Sequence, residues 1–153
     1  MIPWTKQFET GFKQIDEQHQ MLIFNINHLE THLTSTNPTK AEFEFLVHLV
    51  DFLGAYADAH FKLEEQCMEC NRCPVHEQNR QAHEAYRSIF RNYKARCEGE
   101  GFTVEFLRAL HESASVWVRE HILKIDTQLR PFIPASWQFT EGSSHHVREL
   151  TFG

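Results

Sequence analysis

The sequence lacks the long apolar run of a membrane-spanning protein and the excess positive charge of a nucleic-acid-binding one. No stretch reaches the roughly 18–20 consecutive apolar residues that span a bilayer. Fifteen Lys and Arg against 21 Asp and Glu give a formal net charge of −6, which leaves no basic field for nucleic acid or anionic lipid. The first residues also lack the apolar core of a signal peptide. We therefore expect a cytoplasmic protein with no nucleic-acid partner and no membrane partner.

What is present is an ordinary globular composition that is rich in histidine and phenylalanine. A chain of 153 residues with 41% hydrophobic and 24% charged residues fits one domain with a sizeable core. Eleven histidines and thirteen phenylalanines are both high counts. They would suit a metal pocket with aromatic walls.

Apolar residues recur three or four positions apart in four segments, which predicts four amphipathic helices. Thr39 with Glu42 looks like a capping box that opens the second helix. We expect an all-α, up-down-up-down four-helix bundle over residues 1–131, with an N-terminal arm and an irregular C-terminal tail or linker over 132–153. The predicted helix breaks are the linker 34–38, Cys73-Pro74, the turn 99–101, and Pro131 with Pro134.

Side chains that commonly bind metals recur at inward positions of all four helices. His60 and Glu64 are four residues apart, so both project from one helical face, and Asn79 with His83 repeats that spacing. Several imidazoles and carboxylates are expensive to bury unless they bind something. Two carboxylates among imidazoles suit two ions, and iron, zinc, copper and nickel are all compatible with them. The candidate ligands are His19, His60, Glu64, His83, His121 and Asp126.

The spacing of His121 and Asp126 does not suit a regular helix. Five residues correspond to about 140° of rotation, so the two side chains would point in different directions. They can share a target if the carboxylate reaches across or if the helix is locally loosened.

Three motifs resemble those of bacterial hemerythrins, and the resemblance covers about residues 3–130. It implies a non-heme di-iron site in a four-helix bundle that binds O2 reversibly. The motifs are Pro3-Trp4 followed by Ile15-Asp16-Glu17-Gln18-His19, then His60-Phe61-Lys62-Leu63-Glu64-Glu65, then Trp117-Val118-Arg119-Glu120-His121 followed by Asp126.

The resemblance also implies a role for each ligand. His19 and His60 would hold the iron that has an open coordination position, and His83 and His121 would hold the other iron. Glu64 and Asp126 would bridge the two Fe ions together with an oxo or hydroxo group. By the same analogy the walls of the O2 pocket would be four residues that equally suit simple bundle core: Leu22, Phe61, Trp117 and Val118.

Asn79 departs from the family, which has histidine at this position of the third helix. Asparagine is a weak oxygen ligand and does not replace an imidazole on iron. Water could fill the position, His76 one turn earlier could reach in, or the second metal could be bound weakly. A lost neutral donor favours a sensor or a reactive site over a dedicated O2 store.

Cys67, Cys70 and Cys73 form a second departure from the family. Their spacing is compatible with a metal site completed by His76 or with a redox disulfide. The preferred interpretation is that they are small hydrophobic residues at a helix end.

These observations together predict a non-enzymatic O2 or redox sensor module, with a downstream signalling domain or protein as its output. One alternative is a di-iron peroxidase or oxidase, favoured if Asn79 leaves both irons open to substrate. Another is a bundle with a degraded metal site that serves as an interaction module. The sequence does not specify an oligomeric state.

Overall fold

The computed structural model describes residues 1–133, and within them the chain is all-α. Helix α1 packs against α2 and α4, and α2 packs against α3, so the predicted four-helix bundle is confirmed. No helix in this part of the chain combines the length and apolarity needed to cross a membrane. The α-helices are α1 Lys13–His32, α2 Lys40–Cys70, α3 His76–Glu100 and α4 Val104–Lys124, and two 3₁₀ helices span Lys6–Phe8 and Asp126–Phe132.

Side-chain caps at the predicted positions begin two of the helices. The hydroxyl of Thr39 accepts a hydrogen bond from the Glu42 N–H, and the Glu42 carboxylate accepts one from the Thr39 N–H at 2.7 Å. This is the predicted capping box, which satisfies two N–H groups that the helix itself cannot. Thr103 caps α4 by accepting from the Phe106 N–H.

Helix α4 ends earlier than the prolines predict. Its last residue is Lys124, and Ile125 takes φ −114° and ψ −58° before the chain tightens into the 3₁₀ helix Asp126–Phe132. Pro131 lies inside that 3₁₀ helix rather than stopping α4. Pro134 and the rest of the predicted tail lie outside the described residues, although Phe132 and Ile133 pack against the bundle.

Apolar clusters lie on both sides of a layer of buried polar residues. One cluster fills the end of the bundle where α1 ends and α2 begins. The other contains Phe12, Ile15, Met68, Cys73 and Leu129 and closes the opposite end. The polar layer between them is thereby shielded from water at both ends of the bundle.

The N-terminal arm packs against the bundle, as its apolar residues predict. Phe8 and Phe12 are buried. The guanidinium group of Arg130 donates hydrogen bonds to the carbonyls of Gln7 and Glu9, both at 2.6 Å. The arm is therefore tied to the 3₁₀ helix that carries Asp126.

Replacing Arg130 with alanine is expected to lower the free energy of unfolding by about 1–2 kcal/mol. The variant loses charged hydrogen bonds to arm carbonyls, and water compensates part of the loss because the side chain is exposed. Urea unfolding measures the effect. Arg119→Ala is the control, since this exposed arginine on α4 pairs with its neighbour Glu120 at 3.7 Å. Equal stability losses in the two variants would contradict a role for Arg130 in holding the arm.

Candidate metal centre

The six predicted ligands converge in the buried polar layer, and all of them are at most 6% exposed. They form two groups, and the possible ligand atoms within each group lie within 4.8 Å of one another. Glu64 belongs to both groups and therefore links them. One group is His19, His60 and Glu64, and the other is Glu64, His83, His121 and Asp126.

Each carboxylate presents one oxygen to each side of the centre. Glu64 Oε1 lies 3.3 Å from His19 Nε2, and Glu64 Oε2 lies 3.3 Å from His83 Nε2. Asp126 Oδ2 lies 3.3 Å from His19 Nε2, and Asp126 Oδ1 lies 3.2 Å from His121 Nε2. This is the arrangement in which two carboxylates can bridge a pair of cations.

The change of helix type after Lys124 explains how His121 and Asp126 meet. On a continuous α-helix their side chains would diverge by about 140°. Because Ile125 departs from regular helical dihedrals and Asp126 begins a 3₁₀ helix, the carboxylate returns to the face of His121. The sequence left open a carboxylate that reaches across or a locally loosened helix. The structure has neither: the α-helix ends at Lys124 and a tighter 3₁₀ helix begins at Asp126.

Two polar side chains outside the predicted set orient the imidazoles. His60 Nδ1 lies 2.8 Å from Gln18 Oε1, and His83 Nδ1 lies 2.9 Å from Glu65 Oε1. Since both oxygens are acceptors, each Nδ1 carries the proton, and each Nε2 is left with the lone pair that a metal ligand needs. Sequence analysis missed these two roles, although Gln18 and Glu65 directly adjoin His19 and Glu64 inside the quoted motifs.

The electrostatics of the layer favour positive charge beside the two carboxylates. Burial lowers the pKa of His19, but the carboxylates of Asp126 and Glu64 outweigh burial and raise it to about 10. Burial lowers the pKa of His60 to about 4. Both Asp126 oxygens, Glu64 Oε1 and His19 Nε2 are buried without a hydrogen bond of good geometry. Carboxylate oxygens and imidazole nitrogens that lack hydrogen bonds can act as metal ligands, and this set of ligands fits a pair of divalent cations.

Asn79 lies fully buried beside the second group. Its Nδ2 donates to Glu64 Oε2 at 3.3 Å and to Met68 Sδ at 3.2 Å, while its Oδ1 has no partner. His76 is half-buried at the start of α3 and belongs to neither group of possible ligands. The structure therefore places Asn79, and not His76, next to the carboxylate shared by both groups.

The three clustered cysteines lie outside both groups of possible ligands. Cys67 is half-buried, Cys70 is exposed and Cys73 is buried, and all three thiols are free. Burial raises the pKa of the Cys67 thiol to about 11, which disfavours the thiolate that a metal site or a redox reaction needs. This environment supports the interpretation of Cys67 as a packing residue.

A partly enclosed apolar cavity of about 30 Å³ lies in the bundle next to the polar layer, and all four predicted pocket residues line it. A cavity needs roughly 10–15 Å³ to hold one water-sized molecule, so this one has room for a small gas molecule. Phe61 stacks on the His83 ring with 3.9 Å between ring centroids, and Trp117 stacks on the His121 ring with 4.3 Å between centroids. Tyr86, which sequence analysis missed, lines the same cavity and packs on Trp117 at 4.4 Å.

A surface groove between α3 and α4 approaches the centre from the other side. It has a volume of about 710 Å³ and is lined by Ala82, Ser113, Trp117 and His121 among others. Trp117 thus borders both the groove and the apolar cavity. The ligand group that contains His121 is therefore nearer to solvent than the group that contains His19 and His60.

Comparisons with known proteins agree with this geometry. Residues 10–133 match the family described as Hemerythrin HHE cation binding domain. The chain is also similar to a bacteriohemerythrin of Stenotrophomonas maltophilia (strain R551-3). The two are 28% identical over 123 residues, which is 80% of this chain and 74% of the relative.

Proposed function

Because the chain belongs to the hemerythrin family, we propose that it is a non-heme di-iron domain that binds O2 as a sensor rather than as a store. The observation that carries this proposal is the two-sided placement of Glu64 and Asp126 between two pairs of histidines. The apolar cavity lined by Phe61 and Trp117, the two rings that stack on His83 and His121, supports O2 as the ligand.

In the proposed centre each histidine pair holds one iron. His19 and His60 would bind the first, His83 and His121 the second, and the two carboxylates would bridge them together with an oxo or hydroxo group. Bound iron supplies the electrons and the coordination position that O2 requires. Gln18 and Glu65 fix two imidazole rings by hydrogen bonds to Nδ1.

The aromatic side chains protect the proposed centre from water. Phe61 and Trp117 cover the faces of His83 and His121, and Tyr86 packs against both aromatic rings. The rings of Phe61 and Trp117 lie between the imidazoles and the apolar cavity. An apolar wall of this kind keeps reductants and protons away from a bound gas molecule.

Asn79 supports a sensor over a store. The second iron would have two imidazole ligands where the family has three, so we expect it to be held less tightly and to have a shifted redox potential. Such an iron responds to oxidant or reductant more readily than a site built for repeated O2 loading. The proposed output is a downstream signalling domain or protein.

Anaerobic titration with Fe(II), followed by exposure to O2, tests the proposal. We expect two irons per chain, a near-ultraviolet and visible charge-transfer absorption after oxygenation, and loss of the O2 spectrum when O2 is removed. One iron per chain would contradict the di-iron centre. No iron uptake together with an unchanged melting temperature would favour the alternative of an interaction module.

The groove that reaches His121 favours a second candidate, a di-iron peroxidase or oxidase. A substrate in this groove would approach His121. In the proposed centre His121 and His83 hold the second iron, the one that lacks an imidazole at position 79. Steady turnover of hydrogen peroxide by the iron-loaded protein in the presence of a reductant would support this candidate. A stable and reversible O2 complex would argue against it.

A further inference from the structure

His28 and His32 form a pair of surface imidazoles that the proposed function does not use. They are four residues apart on α1, so both project from one face of the helix. Their Nε2 atoms share a hydrogen bond at 3.1 Å, and the rings meet edge to face at 4.7 Å between centroids. A metal ion bound by both nitrogens would replace the shared proton. Nine residues separate His28 from His19, or about 14 Å along the helix, so the pair is distinct from the buried centre.

The distance between the two nitrogens matches two ligands of one metal ion. Imidazole nitrogens bind zinc at about 2.0–2.1 Å. Two such nitrogens at an angle of about 90–110° around one ion are therefore about 2.9–3.4 Å apart. The 3.1 Å separation lies inside this range, and both imidazoles present the same nitrogen, Nε2, to the shared point.

Phe24 on α1 and Phe45 on α2 contact the two imidazole rings. The Phe45 ring lies 6.1 Å from His28 and 5.0 Å from His32, and Phe24 lies 6.0 Å from His28. Hydrogen bonds to Thr39, and to a smaller extent the nearby His32, lower the pKa of Glu42. The Glu42 carboxylate therefore adds negative charge near His32, which favours a cation there.

We propose that His28 and His32 form an exchangeable surface site for a divalent transition-metal ion of the Zn²⁺ and Cu²⁺ class. The two imidazoles supply two ligands, and water completes the coordination sphere. Nitrogen ligation favours these ions over Mg²⁺ and Ca²⁺, which prefer oxygen ligands. Contacts with Phe24 and Phe45 restrict the histidine side chains before the ion binds, so less conformational entropy is lost on binding.

Zn²⁺ titration of the iron-loaded full chain by calorimetry tests the site, because the buried centre is then occupied. The variant is His28→Gln with His32→Gln. One control is His48→Gln, an exposed histidine on α2, and a second is His145→Gln with His146→Gln. Iron content is measured after each titration, so that displacement of iron is distinguished from binding at the surface.

We expect one additional Zn²⁺ per chain in the wild type and in both controls. The double variant of the pair should bind this ion at least ~10-fold more weakly, with the same iron content and the same melting temperature. Cu²⁺ added to the wild type should give an electron paramagnetic resonance spectrum with nitrogen couplings that the double variant lacks. Unchanged Zn²⁺ affinity in the double variant, or an equal loss in a control, would overturn the proposal.

Discussion

Glu64→Ala is expected to abolish di-iron binding, with an affinity loss of more than ~100-fold. Glu64 is the residue shared by both groups of possible ligands. Its oxygens lie 3.3 Å from His19 Nε2 and from His83 Nε2. Mutation of a residue that only orients a ligand typically costs 10–100-fold in metal affinity, so the loss of a ligand common to both ions should cost more.

Two measurements check this expectation. Iron content should fall from two per chain to near zero, and the rise in stability that iron gives the wild type should disappear. A ligand present at 100 times its dissociation constant stabilises a protein by ~2.7 kcal/mol. We therefore expect the iron-dependent stabilisation of the wild type to be several kcal/mol and that of Glu64→Ala to be close to zero.

The matched control is Glu69→Ala, an exposed carboxylate on the same helix. It should bind two irons and respond to them as the wild type does. Unfolding of the metal-free proteins shows whether Glu64→Ala folds at all, and Glu64→Gln replaces it if it does not. A Glu64 variant that folds and still holds two irons would refute the bridging role.

Positions within one helix were predictable from the sequence, because helical periodicity fixes which side chains share a face. His60 and Glu64 lie four residues apart, and both reach the centre, where His60 Nε2 lies 3.9 Å from Glu64 Oε2. The capping box at Thr39 and Glu42 was predictable for the same reason, since its partners are three residues apart. Local spacing is sufficient for both features.

Features that depend on contacts between distant segments were not predictable in this way. Asp126 faces His121 because the α-helix ends at Lys124, and Arg130 ties the following 3₁₀ helix to the N-terminal arm more than 120 residues away. No pattern in the sequence fixes where an α-helix changes to a 3₁₀ helix, since that depends on tertiary packing. Gln18 and Glu65 were missed because their partners lie on another helix.

Asn79→His is expected to make the second iron ~10–100-fold slower to leave the protein. The variant restores an imidazole on the same face as His83, one helical turn away, where the family has one. The added ring must fit a fully buried position that Asn79 now shares with Met68 and Glu64. The flexible thioether of Met68 can move to accommodate it.

The rate of iron release to a chelator measures this effect, and the decay of the charge-transfer absorption reports that rate. The wild type should lose its two irons in two phases, the faster one from the His83 and His121 side, and Asn79→His should slow that phase alone. Asn79→Ala is the control, because it removes the amide and its hydrogen bond to Glu64 without adding a ligand. It should release the second iron at least as fast as the wild type. If alanine and histidine slowed release equally, the hydrogen bond from Asn79 to Glu64 would be the cause of the lability, and the missing imidazole would not be.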